Sequence, residues 1–316
     1  MIVSWMLYSL VVALLLAAGA GPLERALRLG RRPGRWAWVA AMAGAVLVPA
    51  VSLVLAGRST EPVAALGPVT PVATPAASAL TGVTRGFEVA AGPVLDSLEG
   101  PVLRLWALAS LGLLALFGAS ALRLGRTRRR WTERVLEGDR VLVSHDVGPA
   151  VLGLLRPRIV VPGWLMERGE EARRLIVRHE REHCRARDPA LVLLAGLVTV
   201  LMPWNAPLWW CLRRLRVAVE VDCDERVLRA EGPDARRRYG RLLLEVGRRP
   251  LGPVRALAAF AERRSALERR IRALTDRVPE HPARRAVGLG ALGALAILAA
   301  CVVPTPDAPE SSLEPE

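Results

Sequence analysis

The chain has 316 residues, 52% of them hydrophobic, and a mean hydropathy of +0.28, where soluble domains of this size average below zero. Its 44 basic residues, all arginine, exceed the 30 acidic ones by 14, which excludes an ordinary cytosolic protein and points to an anionic membrane face or to nucleic acid. The four cysteines (Cys184, Cys211, Cys223, Cys301) form no CxxC pair and no regular spacing, which excludes a disulfide framework and a thiolate zinc site.

Four apolar stretches, about 2 to 22, 36 to 57, 105 to 122 and 286 to 304, approach the length that crosses a hydrocarbon core of about 30 Å. The first has no basic n-region. Its A-G-A-G end imitates a signal cleavage site, but five arginines between Leu23 and Arg35 lead at once into the second stretch, so it is read as a retained span. Arginine also sets the sides, because cytoplasmic loops near span ends collect it. Arg25, Arg28, Arg31, Arg32 and Arg35 put the first loop inside. Loop 58 to 100, with five prolines and only Arg58 and Arg85 against Glu61, Glu88, Asp96 and Glu99, reads as outside. Arg123, Arg126, Arg128, Arg129 and Arg130 put the next block, 123 to 285 with a net charge of about +15, inside. The acidic tail from Thr305 reads as outside. Trp5, Trp36, Trp38, Trp106 and Trp131 lie near span ends, where indole favours the headgroup layer. The expected division is therefore 1–122 with three transmembrane helices, 123–285 as a cytoplasmic domain, and 286–316 with a fourth transmembrane helix and a short tail. The basic block contains no helix-turn-helix spacing, zinc-finger pattern or RNP motif, so direct nucleic-acid binding is not expected and a lipid bilayer is.

Within that block, Val141-Leu142-Val143-Ser144 and Arg158-Ile159-Val160-Val161 are short, rich in β-branched residues and bounded by Gly and Pro, which predicts two small strands. A strand beside a catalytic helix can align an extended peptide by strand addition. Residues 170 to 187 follow with helical periodicity, placing Ala172, Leu175, Ile176, His179 and His183 on one face. They contain His179-Glu180-Arg181-Glu182-His183, an HExxH. Positions i and i+4 project from one side of a helix, so two imidazoles can hold one Zn²⁺ while Glu180 serves as the proton-transferring carboxylate of a peptidase. A bare HExxH is also what a surface helix with two ordinary histidines looks like. Three features favour the metal reading: only four histidines exist in the chain, an apolar run shares their face, and a second helical segment supplies Glu220 and Asp224. Glu220 can be the third ligand, and Asp224 can accept the other N–H of a ligand histidine and fix its tautomer.

The apolar segment 189–212 between these helices cannot cross the membrane once, since His183 and Glu220 would then lie on opposite sides. Its break at Pro203-Trp204-Asn205-Ala206-Pro207 predicts a membrane-associated hairpin or re-entrant element. His145 and His281 read as solvated loop residues, and Cys184 and Cys223 as packing residues. Tyr239 reads as helix packing, with donation to a developing oxyanion as the alternative. The charged run from Phe260 to Leu274 predicts an amphipathic helix lying on acidic lipid.

Together these residues resemble the BlaR/MecR family of integral-membrane zinc metallopeptidases, the antirepressors of β-lactam resistance and their shorter relatives. The likeness covers about 140 to 275. It rests on G-P-A-V-L-G-L-L-R-P-R-I-V-V-P at 148 to 162, the HExxH followed by Arg187-Asp188, the W-N-x-P-L-W element, and E-x-x-C-D-E-R-V-L at 220 to 228. HExxH with a downstream E-x-x-x-D is also similar to the wider gluzincin peptidases. The resemblance implies a mainly α-helical inner-membrane protein with a cytoplasmic α+β, gluzincin-like zinc peptidase domain. It implies His179, His183 and Glu220 as zinc ligands, Glu180 as the catalytic carboxylate, and cleavage of the chain itself or of a winged-helix transcriptional repressor. Antibiotic-sensing members continue into an extracellular penicillin-binding domain, whereas this sequence runs 12 residues beyond Pro304 and has no S-x-x-K motif, so a β-lactam sensor role is not expected. The competing expectation is a catalytically silent membrane signalling scaffold that keeps the metal site.

Overall fold

The computed structural model describes residues 2–56, 75–145, 147–154, 156–232, 235–248, 256–276 and 279–306. The fold is mostly helical. Helices α1 (Ile2–Leu29), α2 (Arg35–Ala56), the Ser97–Arg128 part of α3 (Pro75–Arg128) and α9 (Pro282–Val302) are long and apolar enough to cross a membrane. Helix α3 starts inside the segment 58 to 100 that sequence reads as a loop. Proline tolerated in a first helical turn, followed by alanines of high helix propensity, gives it a start that the scattered prolines hide. Residues 58 to 74 and the acidic tail from 307 lie outside the described residues.

Between α3 and α9 lie four strands, β1 (Thr132–Leu136), β2 (Asp139–Ser144), β3 (Ala150–Leu152) and β4 (Arg158–Pro162), in the order β1-β2-β4-β3. Only β2 and β4 were expected from sequence. They form the parallel centre of the sheet, and β1 and β3 flank them antiparallel. Strand β1 is almost wholly exposed and lacks an apolar alternation. What makes it a strand is the two-residue turn to β2, with Glu137 at φ 53° and Gly138 at φ 81°, a hairpin geometry usually announced by Asn or Asp before the Gly.

A short 3-10 turn, Gly163–Glu167, leads into α4 (Glu170–Ala186), which begins with two acidic residues and ends with His183 and Arg185, both favourable to the helix dipole. Arg187, left-handed at φ 53°, ends α4 and starts α5 (Asp188–Leu201). At 14 residues and about 1.5 Å per residue, α5 is roughly 21 Å long, short of a hydrocarbon core. After the turn 202–205, Asn205 caps α6 (Ala206–Glu231) by accepting the Leu208 N–H at 3.3 Å. Helices α7 (Ala235–Arg248) and α8 (Ala256–Thr275) follow. The expected hairpin 189–212 is thus α5 plus only the first turns of a 26-residue helix that continues through Glu220 and Asp224.

Besides a small cluster on the sheet at Leu142, Val147 and Val160, two large hydrophobic clusters organise these elements among the described residues, with α6 in both. One joins Val12 and Leu16 of α1, Trp38 and Met42 of α2, Ala300 of α9, and Leu208, Leu212 and Leu215 of α6. The other joins Val141 and Val161 of the sheet, Leu175 and Val177 of α4, Val227 and Leu228 of α6, Tyr239 of α7 and Leu274 of α8. Trp38 departs from the headgroup expectation. It is fully buried and donates its indole N–H to Glu24 at 2.8 Å, a carboxylate that also binds Arg28 and Arg214. Helix α8 departs likewise. Leu267, Ile271 and Leu274 pack on the second cluster, so this stretch of α8 faces protein and carries Arg270 inward. A charged amphipathic helix presents the same pattern to lipid and to a protein cavity, which is why sequence placed it on the membrane.

Candidate metal centre

Helix α4 and the second half of α6 lie against each other. The HExxH on the first and the E-x-x-x-D on the second therefore face one space. His179 Nε2 and His183 Nε2 are 3.1 Å apart, and the Glu220 carboxylate approaches them at 3.5 and 3.7 Å. Four donors held about 2.0–2.1 Å from a tetrahedral ion are roughly 3.3–3.4 Å from one another, so this triangle of side chains fits such an ion. Glu180 is buried and lines the same cavity, of about 830 Å³.

The far nitrogens of both imidazoles are committed elsewhere. His183 Nδ1 lies 2.8 Å from Asp188, an acceptor-only carboxylate, and so bears hydrogen. His179 Nδ1 lies 2.8 Å from the Tyr239 hydroxyl, which donates its one proton to Asp224 at 2.6 Å; the phenol oxygen therefore receives His179 Nδ1–H. Burial and the Asp224 charge push the phenol well above its ordinary value, so it keeps the proton it donates. Asp224 is held in turn by Arg270 through two bonds of 2.7 and 2.8 Å, and Arg270 also reaches Glu220 at 2.9 Å. With both Nδ1 positions acting as donors, the neutral imidazoles aim their Nε2 lone pairs at each other and at a carboxylate. A positive centre between them, a proton or a metal ion, suits that arrangement.

In the metal-free chain, protons take that place. Burial favours neutral His179, but the charge and hydrogen bond of Cys223 and the hydrogen bond of Glu220 outweigh it and raise the imidazole to about 10. Burial likewise opposes charge on His183, and Asp188, Cys223 and Glu220 overcome it to hold the imidazole well above its ordinary value. Glu220 runs the other way: burial would raise it, yet Arg270 and the two histidines hold it well below the usual carboxylate range.

Cys223 competes with Glu220 for the role of third ligand. Its sulfur and the imidazole nitrogens of His179 and His183 all lie within 4.8 Å of one another. The sulfur, however, lies 3.4 Å from His179 Nδ1, the nitrogen committed to Tyr239, and 3.3 Å from the His179 carbonyl. Glu220 faces the Nε2 atoms instead, and geometry favours it.

Asp224 thus reaches His179 chiefly through Tyr239, its own oxygen being 3.4 Å from Nδ1. Asp188, Tyr239 and Arg270 all hold the site without having been assigned to it by motif. Sequence offers two signals for them: the Arg187-Asp188 pair directly after the HExxH, and the alternative reading of Tyr239 as a donor at the site. His145, read as a solvated loop residue, is exposed but lines the same cavity. So do Ala150 and Val151 of β3, the strand at the sheet's edge.

Residues 34–274, most of the chain and including α4 and α6, match the sequence pattern of the BlaR1 peptidase M56 family. The chain belongs to that family. It is also 22% identical over 116 residues to the regulatory protein BlaR1 of Bacillus licheniformis, a match covering 36% of this chain and 19% of that relative. Membership implies a metallopeptidase, and the group around His179 and His183 is its possible metal site. The four long apolar helices accord with a lipid bilayer environment.

Proposed function

We propose that this M56-family chain is a zinc-dependent endopeptidase of the inner membrane, with His179, His183 and Glu220 holding Zn²⁺ and Glu180 as the catalytic carboxylate. The observation that carries the reading is the triangle of 3.1, 3.5 and 3.7 Å among donors whose far sides are already hydrogen-bonded. Zinc, when bound, polarises the scissile carbonyl and makes water a nucleophile near neutral pH. Glu180 takes the proton of the attacking water and passes it to the leaving amine. The outer edge of β3 is unpaired among the described residues and borders the cavity, so an extended segment can add there as a further strand and present one peptide bond to Glu180. Asp224, Tyr239 and Asp188 hold the two imidazoles in the tautomer that binds a cation.

With the arginine-rich block 123–285 on the cytoplasmic side, the substrate is the chain itself or a cytoplasmic winged-helix transcriptional repressor, and the role is signalling by proteolysis. Mapping new protein N-termini in cells expressing wild type or Glu180→Gln tests this, together with the metal content of both purified proteins. The expected result is termini in a repressor or in this chain seen only with wild type, with equal zinc in both. Identical maps under an inducing envelope stress, again with equal zinc, would replace the enzyme by a silent scaffold that retains its metal.

A further inference from the structure

Asp188 is almost fully buried and gathers partners from three helices. Its Oδ2 receives His183 Nδ1–H at 2.8 Å and an Arg226 N–H at 3.3 Å, and its Oδ1 receives the Arg35 guanidinium. A buried carboxylate is tolerable only with compensating charge and full hydrogen bonding, and its orientation is that of the groups that compensate it. Arg35, itself buried, is the first residue of α2, a candidate span.

The backbone of Arg35 is fixed as firmly as its side chain. The N–H groups of Gly34 and Arg35 donate to the Asp222 carboxylate at 3.0 and 3.1 Å, so a residue of α6 caps the first turn of α2. Gly34 is seated so closely that a Cβ there would lie 2.9 Å from Arg28 Nε and 3.0 Å from Glu24 Cγ. Arg35 therefore binds α6, which carries Glu220, through its backbone, and the joint after α4, which carries His183, through its side chain.

We propose that Arg35 is a positioning residue for the metal centre, holding Asp188 against His183 and tying that histidine to the loop between the first two candidate spans. The inference rests on the reading of His183 as a ligand. A shift of α2 relative to α6 then changes the hydrogen bond that aims one imidazole, without any contact between α2 and the metal.

The test uses the full chain in nanodiscs, reading zinc affinity by chelator competition and the electronic absorption of the Co²⁺-loaded protein. Arg35→Gln is expected to weaken zinc binding up to about tenfold, less than the roughly 10–100-fold of Asp188→Asn, and to alter the Co²⁺ bands, with Arg35→Lys between it and wild type. The double variant Arg35→Gln/Asp188→Asn is expected to match Asp188→Asn alone, because the two residues act in series. Arg214→Gln breaks a different arginine–carboxylate bond, between α6 and α1 at 3.0 Å to Glu24, without touching Asp188, and is expected to leave both readouts unchanged. Wild-type affinity and bands in Arg35→Gln, additivity in the double variant, or an equal loss in Arg214→Gln would each overturn the proposal. Should Arg35→Gln fail to fold, Arg35→Lys decides, and wild-type affinity and bands there overturn it. His183→Ala separates the two levels. Undiminished zinc binding in that variant removes the ligand assignment itself, whereas its loss beside a normal Arg35→Gln removes only the positioning role.

Discussion

Tyr239 has one proton to give, and Asp224 takes it, so the phenol oxygen is left as the acceptor that fixes His179. Tyr239→Phe removes that acceptor while keeping the ring in its buried place. Zinc affinity is expected to fall about 10–100-fold, the usual consequence of losing a ligand's hydrogen-bond partner, and chelator competition measures it. The same residues give a pH dependence of definite sign. His179 titrates at about 10 in the metal-free chain, so near neutrality a metal must displace its proton. Affinity is therefore expected to rise between about pH 6 and about pH 8, by up to roughly tenfold per pH unit for each proton released. A flat profile would mean that the metal-free imidazoles are already neutral. At this scale the i,i+4 spacing sets His179 beside His183, a local matter legible in sequence, and the packing of α6 on α4 brings Glu220 to them. The groups holding them were less legible. Asp188 depends on a left-handed arginine, Tyr239 comes from another helix, and Arg270 sits in a charge run that suits lipid equally well.

Among the elements, α1 and α9 pack most closely, and small residues allow it. A Cβ on Gly19 would lie 2.9 Å from Ala296 Cβ and 3.0 Å from the Gly293 carbonyl, whereas one on Gly21 of the same helix would meet nothing within 4 Å. Gly19→Leu is expected to cost about 1–3 kcal/mol by forcing the helices apart, read as a lowered thermal midpoint in detergent, with Gly21→Ala unchanged or slightly stabilised. Equal behaviour of the two would mean that the helices separate without cost. The spans were legible because length and hydropathy act over about 20 residues at once. Strands β1 and β3 were not, since one owes its existence to a two-residue turn and the other is three residues long, paired along one side to β4. Helix α6 was read in two pieces, an apolar hairpin arm and a ligand helix, because its surroundings change midway: its first half lies among apolar helices and its second beside the sheet domain.

If the proposed centre holds zinc, that undivided α6 is expected to couple the whole molecule to the ion. Leu208, Leu212 and Leu215 are held by α1 and α2, while Glu220 faces the proposed metal site and Val227 and Leu228 belong to the core beside it, all on 26 residues of continuous helix. Asp222 adds a direct bond from the same helix to the loop between α1 and α2. A ligand that binds only the native state stabilises it by about 2.7 kcal/mol at a hundredfold excess over its dissociation constant, and the gain appears wherever opening requires the site to open. If the two clusters open as one unit, zinc slows amide hydrogen exchange in α4 and late α6. It also slows exchange in the first turns of α6 and at Gly34 and Arg35. If they open separately, protection changes only in α4, late α6, α7 and α8. The expected result is the first pattern, measured by exchange mass spectrometry on the chain in nanodiscs with zinc and with chelator. Protection confined to the second cluster would show that α6 bends or frays near Ala218 before either core is lost.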